Sequence, residues 1–415
     1  MNGEAINSRG KIKITQESAF ALLIAVFFCH HTLFEYVEIV IGRLPYISMA
    51  RYFFFPVLYF FLILFSFKRN RARYIRISDF FIILFFTISI LLTIIVYPNN
   101  APFIASSLTS HILPCIPFFL LGLCFFANER TINTVSIFSC FAVAVSVVYV
   151  FYFLNTGRNL GGEDGGYSMD WSYLLLPNTM IVIDYAFRKK KILAIVCSII
   201  GVMYAFAMGT RGPIVILFFF IAVLMWTNSN LKTGKKILFF LVSAIALIMF
   251  FLSSAYMDVL ASLRIFLIEN RVSTRVVDYL ISGEMLSNTD GRTEITQDLM
   301  QKLWEHPIVG YGVYGEWPFG YYSAHNMYVE ALFHFGIFVG SFLIIAYIAL
   351  FIKALKVSNN VLAKRWLIMF GCFVFVKGIF GGRYMEYSVF FLLGLCLREI
   401  RCAKDEKRQI RRIER

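Results

Sequence analysis

The sequence predicts an all-α polytopic membrane protein with about 12 transmembrane helices and a large, partly helical extracytoplasmic loop between spans 9 and 10. Three observations lead there. Hydrophobic residues make up 59% of 415 positions and charged residues 15%, too little polar surface to cover a soluble body of this size. Apolar runs of roughly 17–25 residues, the length needed to cross a bilayer, recur along the chain. Basic residues gather on alternate loops.

In order, the runs are 18–40, 46–67, 79–97, 103–127, 132–154, 168–187, 192–209, 213–227, 237–255, 325–352, 363–380 and 384–398. The first is not expected to be a cleaved leader, because it contains Glu35 and Glu38 and no small-residue cleavage site follows. His30, His31, Glu35 and Glu38 are costly in lipid, so they are expected to face the bundle interior, with His31 and Glu35 one turn apart.

Counted from an inside N-terminus, 28 of the 39 Lys and Arg fall on the cytoplasmic side and 11 outside. The net charge of +14 therefore reports topology, with both termini cytoplasmic, and gives no argument for nucleic acid. The eight cysteines lie in spans or at the cytoplasmic end, so no disulfide framework is indicated. No CxxC or HExxH spacing occurs, and no metal or cofactor is expected.

The whole chain, 1–415, reads as a single integral membrane domain without internal repeats. Two outer loops are long: the Gly-rich 155–170 segment, with Glu163 and Asp164, and an extracytoplasmic loop over 256–324. The second carries two apolar stripes, Val259, Leu260, Leu263, Phe266 and Leu267, then Ile295, Leu299, Leu303 and Trp304. Both stripes predict amphipathic helices lying on the membrane surface.

Polar chemistry concentrates between Arg292 and Gly340. His325-Asn326 stands where the long loop enters the tenth span. This pair suits a helix cap at headgroup level, and equally a base, since imidazole titrates near pH 6.5 and a helix N-terminus favours its neutral form. Arg211, in the short turn Gly209-Thr210-Arg211-Gly212, suits either snorkelling to headgroups or a clamp on phosphate oxygens. Arg292, after Asp290-Gly291, is either a surface cation or the second half of that clamp. Arg271, Arg275 and Arg383 are further outer-face cations, either peripheral anion contacts or anchors. Tyr311, Tyr314, Trp317, Phe319, Tyr321 and Tyr322 form either an interfacial belt or a sugar-stacking wall. Gly336 and Gly340 form a GxxxG that allows close helix packing.

As a set, Thr210-Arg211-Gly212, Gly291-Arg292, the run His306-Pro307-Ile308-Val309-Gly310-Tyr311-Gly312 and the closing His325-Asn326 resemble the O-antigen polymerase/O-antigen ligase superfamily. Its ligase-type spacing, His-[Asn/Ser/Gln]-x9-Gly-x-x-[Gly/Thr/Val], fits His325, Asn326, Gly336 and Val339. The resemblance covers about 209–345; elsewhere it extends only to span number and topology.

The resemblance implies a metal-independent membrane glycosyltransferase at the outer face of the bacterial inner membrane. Its donor and acceptor would be undecaprenyl-diphosphate-linked oligosaccharides, with membrane lipids around it and a chain-length regulator as a candidate partner. The implied roles are His325 as base and Arg211 with Arg292 on the diphosphate, while Asn326, Tyr328, Glu330, Arg275 and Arg383 are secondary candidates. The expected reaction is polymerisation of repeat units into O-antigen or capsular-type polysaccharide. A ligase passing finished glycan to lipid A-core is the alternative within the superfamily. A flippase for lipid-linked sugars is the alternative outside it, although transporters place ionisable groups at the bilayer midplane and often show repeats.

Overall fold

In a computed structural model, residues 16–41, 75–108, 112–155, 169–208, 210–228, 254–270, 272–283 and 291–413 are described, together with positions 61, 234, 235 and 237. The expected spans 46–67 and 237–255 fall mostly outside them, as do the Gly-rich loop, Gly209, Arg271 and Asp290; nothing is described of the side chains of His30, His31, Glu35 and Glu38. The described residues are helical throughout, with turns between. We number the helices α1 Gln16–Ile41, α2 Ile77–Val96, α3 Ala101–Ser107, α4 Leu113–Cys124 and α5 Glu129–Asn155. There follow α6 Met169–Lys189, α7 Ile192–Ala207 and α8 Arg211–Asn228. In the long loop come α9 Ser254–Glu269, α10 Arg275–Ile281 and α11 Arg292–Leu303. The last group is α12 Met327–Val357, α13 Val361–Gly371, α14 Lys377–Phe380 and α15 Tyr387–Ile413. A π-helical stretch, Cys372–Val376, joins α13 to α14.

Three described helices, α2, Glu129–Val148 within α5, and α12, are long and apolar enough to cross a membrane. The expected run 103–127 divides into α3 and α4, and α4 opens on Leu113-Pro114, a proline tolerated in a first turn. Helices α4 and α15 cross where neither can carry a side chain. A Cβ on Gly122 would stand 2.3 Å from the Phe391 carbonyl, and one on Gly394 2.3 Å from the Phe119 carbonyl. Such mutual approach of small residues is a common way to pack helices in lipid. Beside the crossing, Phe28, Phe125, Trp366, Phe370 and Phe391 form an aromatic cluster with centroids 4.4–6.4 Å apart.

One end of the bundle is laced by buried ion pairs. Arg401 grips Asp79 through both terminal nitrogens; Asp184 takes Arg188 Nε at 2.8 Å and Arg365 Nε at 2.7 Å. Glu399 pairs with Arg398 and accepts from Ser358 Oγ at 2.7 Å. A charge buried alone would be expensive, and each of these carboxylates has its cation.

The other end is organised by a break in α12. Gly336 leaves the helical region at φ 77°, ψ 169°, a conformation essentially reserved for glycine. A Cβ on Gly340 would stand 2.7 Å from the Ala331 carbonyl, whereas nine residues of straight helix would span roughly 13 Å. The first arm, 327–335, therefore folds back against the second, 337–357. The close packing expected of the two glycines is thus realised between the arms at Gly340, and against the backbone of Ile308 and Pro307 at Gly336.

Backbone groups freed by the break find partners in the segment Pro307–Gly312. Tyr311 N–H donates to the Phe333 carbonyl at 2.8 Å, Gly312 N–H to the His334 carbonyl at 3.0 Å, and Ile337 N–H to the Pro307 carbonyl at 2.8 Å. Gly310 and Gly312 take φ 70° and 75°, and a Cβ on Gly310 would lie 2.5 Å from the Phe333 carbonyl. The two glycines let one backbone run against another where water is scarce. On its far side this segment is held by Tyr97, whose hydroxyl donates to the Gly310 carbonyl at 2.8 Å, and by Asn100, which donates to the carbonyls of Tyr311 and Val313.

Candidate active site at the broken-helix end

Arg211 is the first residue of α8, and its guanidinium lies 4.4 Å from the Tyr279 ring centroid. The next residue is closely approached: a Cβ on Gly212 would stand 1.9 Å from the Tyr173 hydroxyl oxygen, so a larger residue there would displace that ring. Arg275, first in α10, donates from Nε to the same Tyr279 hydroxyl at 3.1 Å. One tyrosine therefore holds two guanidinium groups, one against its ring and one at its oxygen.

Arg292 begins α11 behind Gly291, which supplies the left-handed turn at φ 77°. Its Nη1 donates to the Phe380 carbonyl at 2.7 Å, and a Cβ on Gly212 would lie 3.6 Å from the Phe380 side chain. The first turns of α8 and α11 thus meet around Phe380, and helix N-termini favour anions. One turn further, Thr296 donates to the Ala324 carbonyl at 3.5 Å, tying α11 to the step before His325.

His325 is partly exposed and sits at φ 51°, a left-handed conformation uncommon outside glycine though less so for His. Its N–H donates to Ser323 Oγ at 3.1 Å. Asn326 Oδ1 caps the following arm, accepting from the N–H groups of Tyr328 and Val329 at 3.0 and 3.2 Å. Of the other secondary candidates, Tyr328 donates to the Phe375 carbonyl at 3.1 Å and Glu330 accepts from the Tyr384 N–H at 3.0 Å. Arg383 Nη2 donates to the Tyr322 carbonyl, and its guanidinium lies 5.2 Å from the Tyr322 ring. Asn326, Tyr328 and Glu330 therefore fix the arm that directly follows His325.

The aromatic run divides. Tyr314 is buried, and burial pushes its phenol up to about 12. Tyr311 stacks on Phe333 at 4.6 Å; burial, then its bond to the Glu305 carboxylate, pushes it up to about 12, so it is a neutral donor. Phe319 and Tyr322 keep exposed faces, which a sugar could stack on.

The sequence reading missed a buried polar network beneath this surface. His334 bonds to Glu316 through Nε2 at 2.5 Å and to the Tyr384 hydroxyl through Nδ1 at 2.8 Å. Glu316 is 0% exposed, and its Oε1 has no hydrogen-bond partner among the described residues. Burial works against the Arg383 charge, but the carboxylates of Glu330 and Glu316 outweigh it, holding the guanidinium protonated beyond its ordinary range. Among the described residues, Glu316, Glu330 and His334 bring metal-ligand-type atoms within 4.8 Å of one another. Through its two ring nitrogens His334 joins Glu316 of the loop to Tyr384 of the 380–386 turn, and Glu330 on the same arm accepts from the Tyr384 N–H. A second missed pair is buried Lys377 with partly buried Glu386, the ammonium lying 4.8 Å from the Tyr173 ring.

The fold and this end together define a helical membrane protein in which a long loop is packed onto a broken helix to present arginines and a histidine. Residues 193–344 match the family model described as O-antigen ligase, which supports the O-antigen ligase/polymerase superfamily for this chain. The matched stretch contains Arg211, Arg275, Arg292 and His325, and ends before Arg383. No curated protein matches the chain.

Proposed function

We propose that the protein is a metal-independent glycosyltransferase that polymerises undecaprenyl-diphosphate-linked repeat units at the outer face of the cytoplasmic membrane. The support is one juxtaposition: Arg211 and Arg292 open two helices that meet around Phe380, and α11 is tied to Ala324, next to His325. Two guanidinium groups and two helix N-termini suit a diphosphate, whose developing charge they stabilise as it leaves. Arg275 contributes a third cation through Tyr279.

In the reaction, an acceptor hydroxyl oxygen forms a bond to the anomeric carbon of the donor glycan. The bond from that carbon to the diphosphate oxygen breaks, and undecaprenyl diphosphate leaves with the electron pair. His325 takes the hydroxyl proton, a role worth about 10²–10⁴-fold in rate. Direct displacement inverts the anomeric centre. The donor's lipid tail, staying in the bilayer, holds the diphosphate at the interface and supplies proximity.

The test is complementation of a deletion strain with Arg211→Ala, Arg292→Ala and His325→Ala, checking membrane insertion and the glycan ladder. Each variant inserts normally and gives no chain extension, and the parent keeps its activity in the presence of a chelator. Wild-type ladders from all three overturn the site, and strict dependence on a divalent ion overturns metal independence. The ligase reading is favoured by the description of the matched family and by the His325 to Val339 spacing. The deletion strain separates the two: one repeat unit on lipid A-core marks a polymerase, and lipid-linked polymer over bare core marks a ligase.

A further inference from the structure

We infer that the crevice between α6 and α7 binds one anionic phospholipid, with its phosphate on Lys190 and an acyl chain along the groove. The crevice has a volume of about 470 Å³, within the roughly 300–1,000 Å³ of small-ligand clefts. Its walls are hydrocarbon from Phe187, Ile195, Ile199 and Met203, with Ile221 of α8 also in the lining. The one hydroxyl, of Ser198, already donates to the Ala194 carbonyl at 2.7 Å. Nothing in this lining suits a sugar or a peptide backbone. A flexible alkyl chain suits it well.

The mouth of the crevice is charged. Lys190 lines it and is exposed, and among the described residues its ammonium group makes no hydrogen bond or ion pair. Its neighbours are occupied differently. Arg188 bonds to Asp184 at 2.8 Å, Lys189 to Glu129 at 3.0 Å, and Lys191 lies 6.0 Å from the Tyr185 ring centroid. A second observation concerns the backbone: Lys190 takes φ 51°, and its N–H closes α6 on the Ala186 carbonyl at 2.9 Å. Glycine is the usual residue in this helix-ending conformation, so a lysine there is kept against a conformational cost. A function for its ammonium group accounts for that. Basic pockets between membrane helices take anionic headgroups, and each basic residue is worth about fivefold in affinity.

This inference is independent of glycosyl transfer; either can fail alone. The experiment uses purified full-length protein in detergent micelles, titrated with phosphatidylglycerol or phosphatidylcholine, with bound lipid counted by native mass spectrometry. Phosphatidylglycerol is retained at least about fivefold more tightly, and Lys190→Arg preserves the preference. Lys190→Gly relaxes the strained turn, so the protein stays folded and raises its melting temperature while losing the preference. Ser198→Phe, filling the groove beside an intact Lys190, removes the retained lipid. Equal binding of the two lipids by the parent overturns the proposal. So does a preference that survives Lys190→Gly, or occupancy of the crevice by a second copy of the chain or by a co-purified polyprenyl phosphate.

Discussion

The long loop contains two amphipathic helices with the same sequence signature and opposite surroundings. Helix α9 leaves Met257, Val259, Ile265, Phe266 and Ile268 exposed and buries only Leu260 of its stripe. Helix α11 buries Leu299 and Leu303 completely, against Ala324 and Phe333. Both were expected to lie on the membrane surface. For α9 the exposed apolar face suits that position; for α11 the protein itself is the partner, and Trp304, assigned to its stripe, is 68% exposed beyond the helix end. A stripe says only that an apolar partner exists. Which partner is decided by long-range structure, here the arm that Gly336 turns back.

The largest expected effect comes from removing that turn. Gly336→Ala places a methyl group 2.1 Å from the Ile308 carbonyl at a conformation costing roughly 1–3 kcal/mol for a non-glycine residue. The backbone bonds from Tyr311, Gly312 and Ile337 are lost with it, each worth about 1 kcal/mol. A total on the order of 5 kcal/mol undocks the loop, seen as protease cleavage within 304–322 and loss of chain extension. An intact, active Gly336→Ala protein would mean that the reversed arm is not what holds α11.

Leu299→Ala comes next. Loss of a fully buried leucine costs about 2–5 kcal/mol, and the site borne by α11 loosens while the spans stay in place. The measurement is chain extension against temperature: activity falls at lower temperature than in the parent, with normal membrane insertion. Activity unchanged at every temperature would place α11 with α9, as a helix whose apolar face the protein does not need.

Much of this was legible beforehand because it is local. Helix positions follow from apolar run length, so α1, α2, α5 to α8 and α12 begin or end near the limits of the expected runs. The cap at Asn326 follows from its residue type, and the arginines at helix starts from the turns before them. The break at Gly336 was not legible, because an isolated glycine in a run of hydrophobics is normally tolerated within a helix. Nor was the pairing of Pro307–Gly312 with residues 333–337, since backbone hydrogen bonds carry no side-chain signature. His334, Glu316 and Tyr384 escaped for a related reason: they are separated by 18 and 50 residues, and only the folded-back arm brings them together. The signal available was two ionisable side chains, Glu330 and His334, one turn apart where lipid was expected.

The smallest effect on folding is expected from α9, and it gives the sharpest view of the difference. Phe266 is 57% exposed, so Phe266→Ala removes little protein contact and should change stability in detergent by no more than ~0.5 kcal/mol. In a bilayer the same substitution gives up the transfer of an aromatic side chain into the interface, about 1.5–3 kcal/mol if the ring is fully buried there. The two media should therefore disagree. A fluorophore attached to α9 shows the parent helix shielded by lipid and the variant more open to an aqueous quencher, while both melt together in micelles. Equal quenching in vesicles would show that the exposed face of α9 meets something other than lipid, and the distinction between the two helices would need another origin.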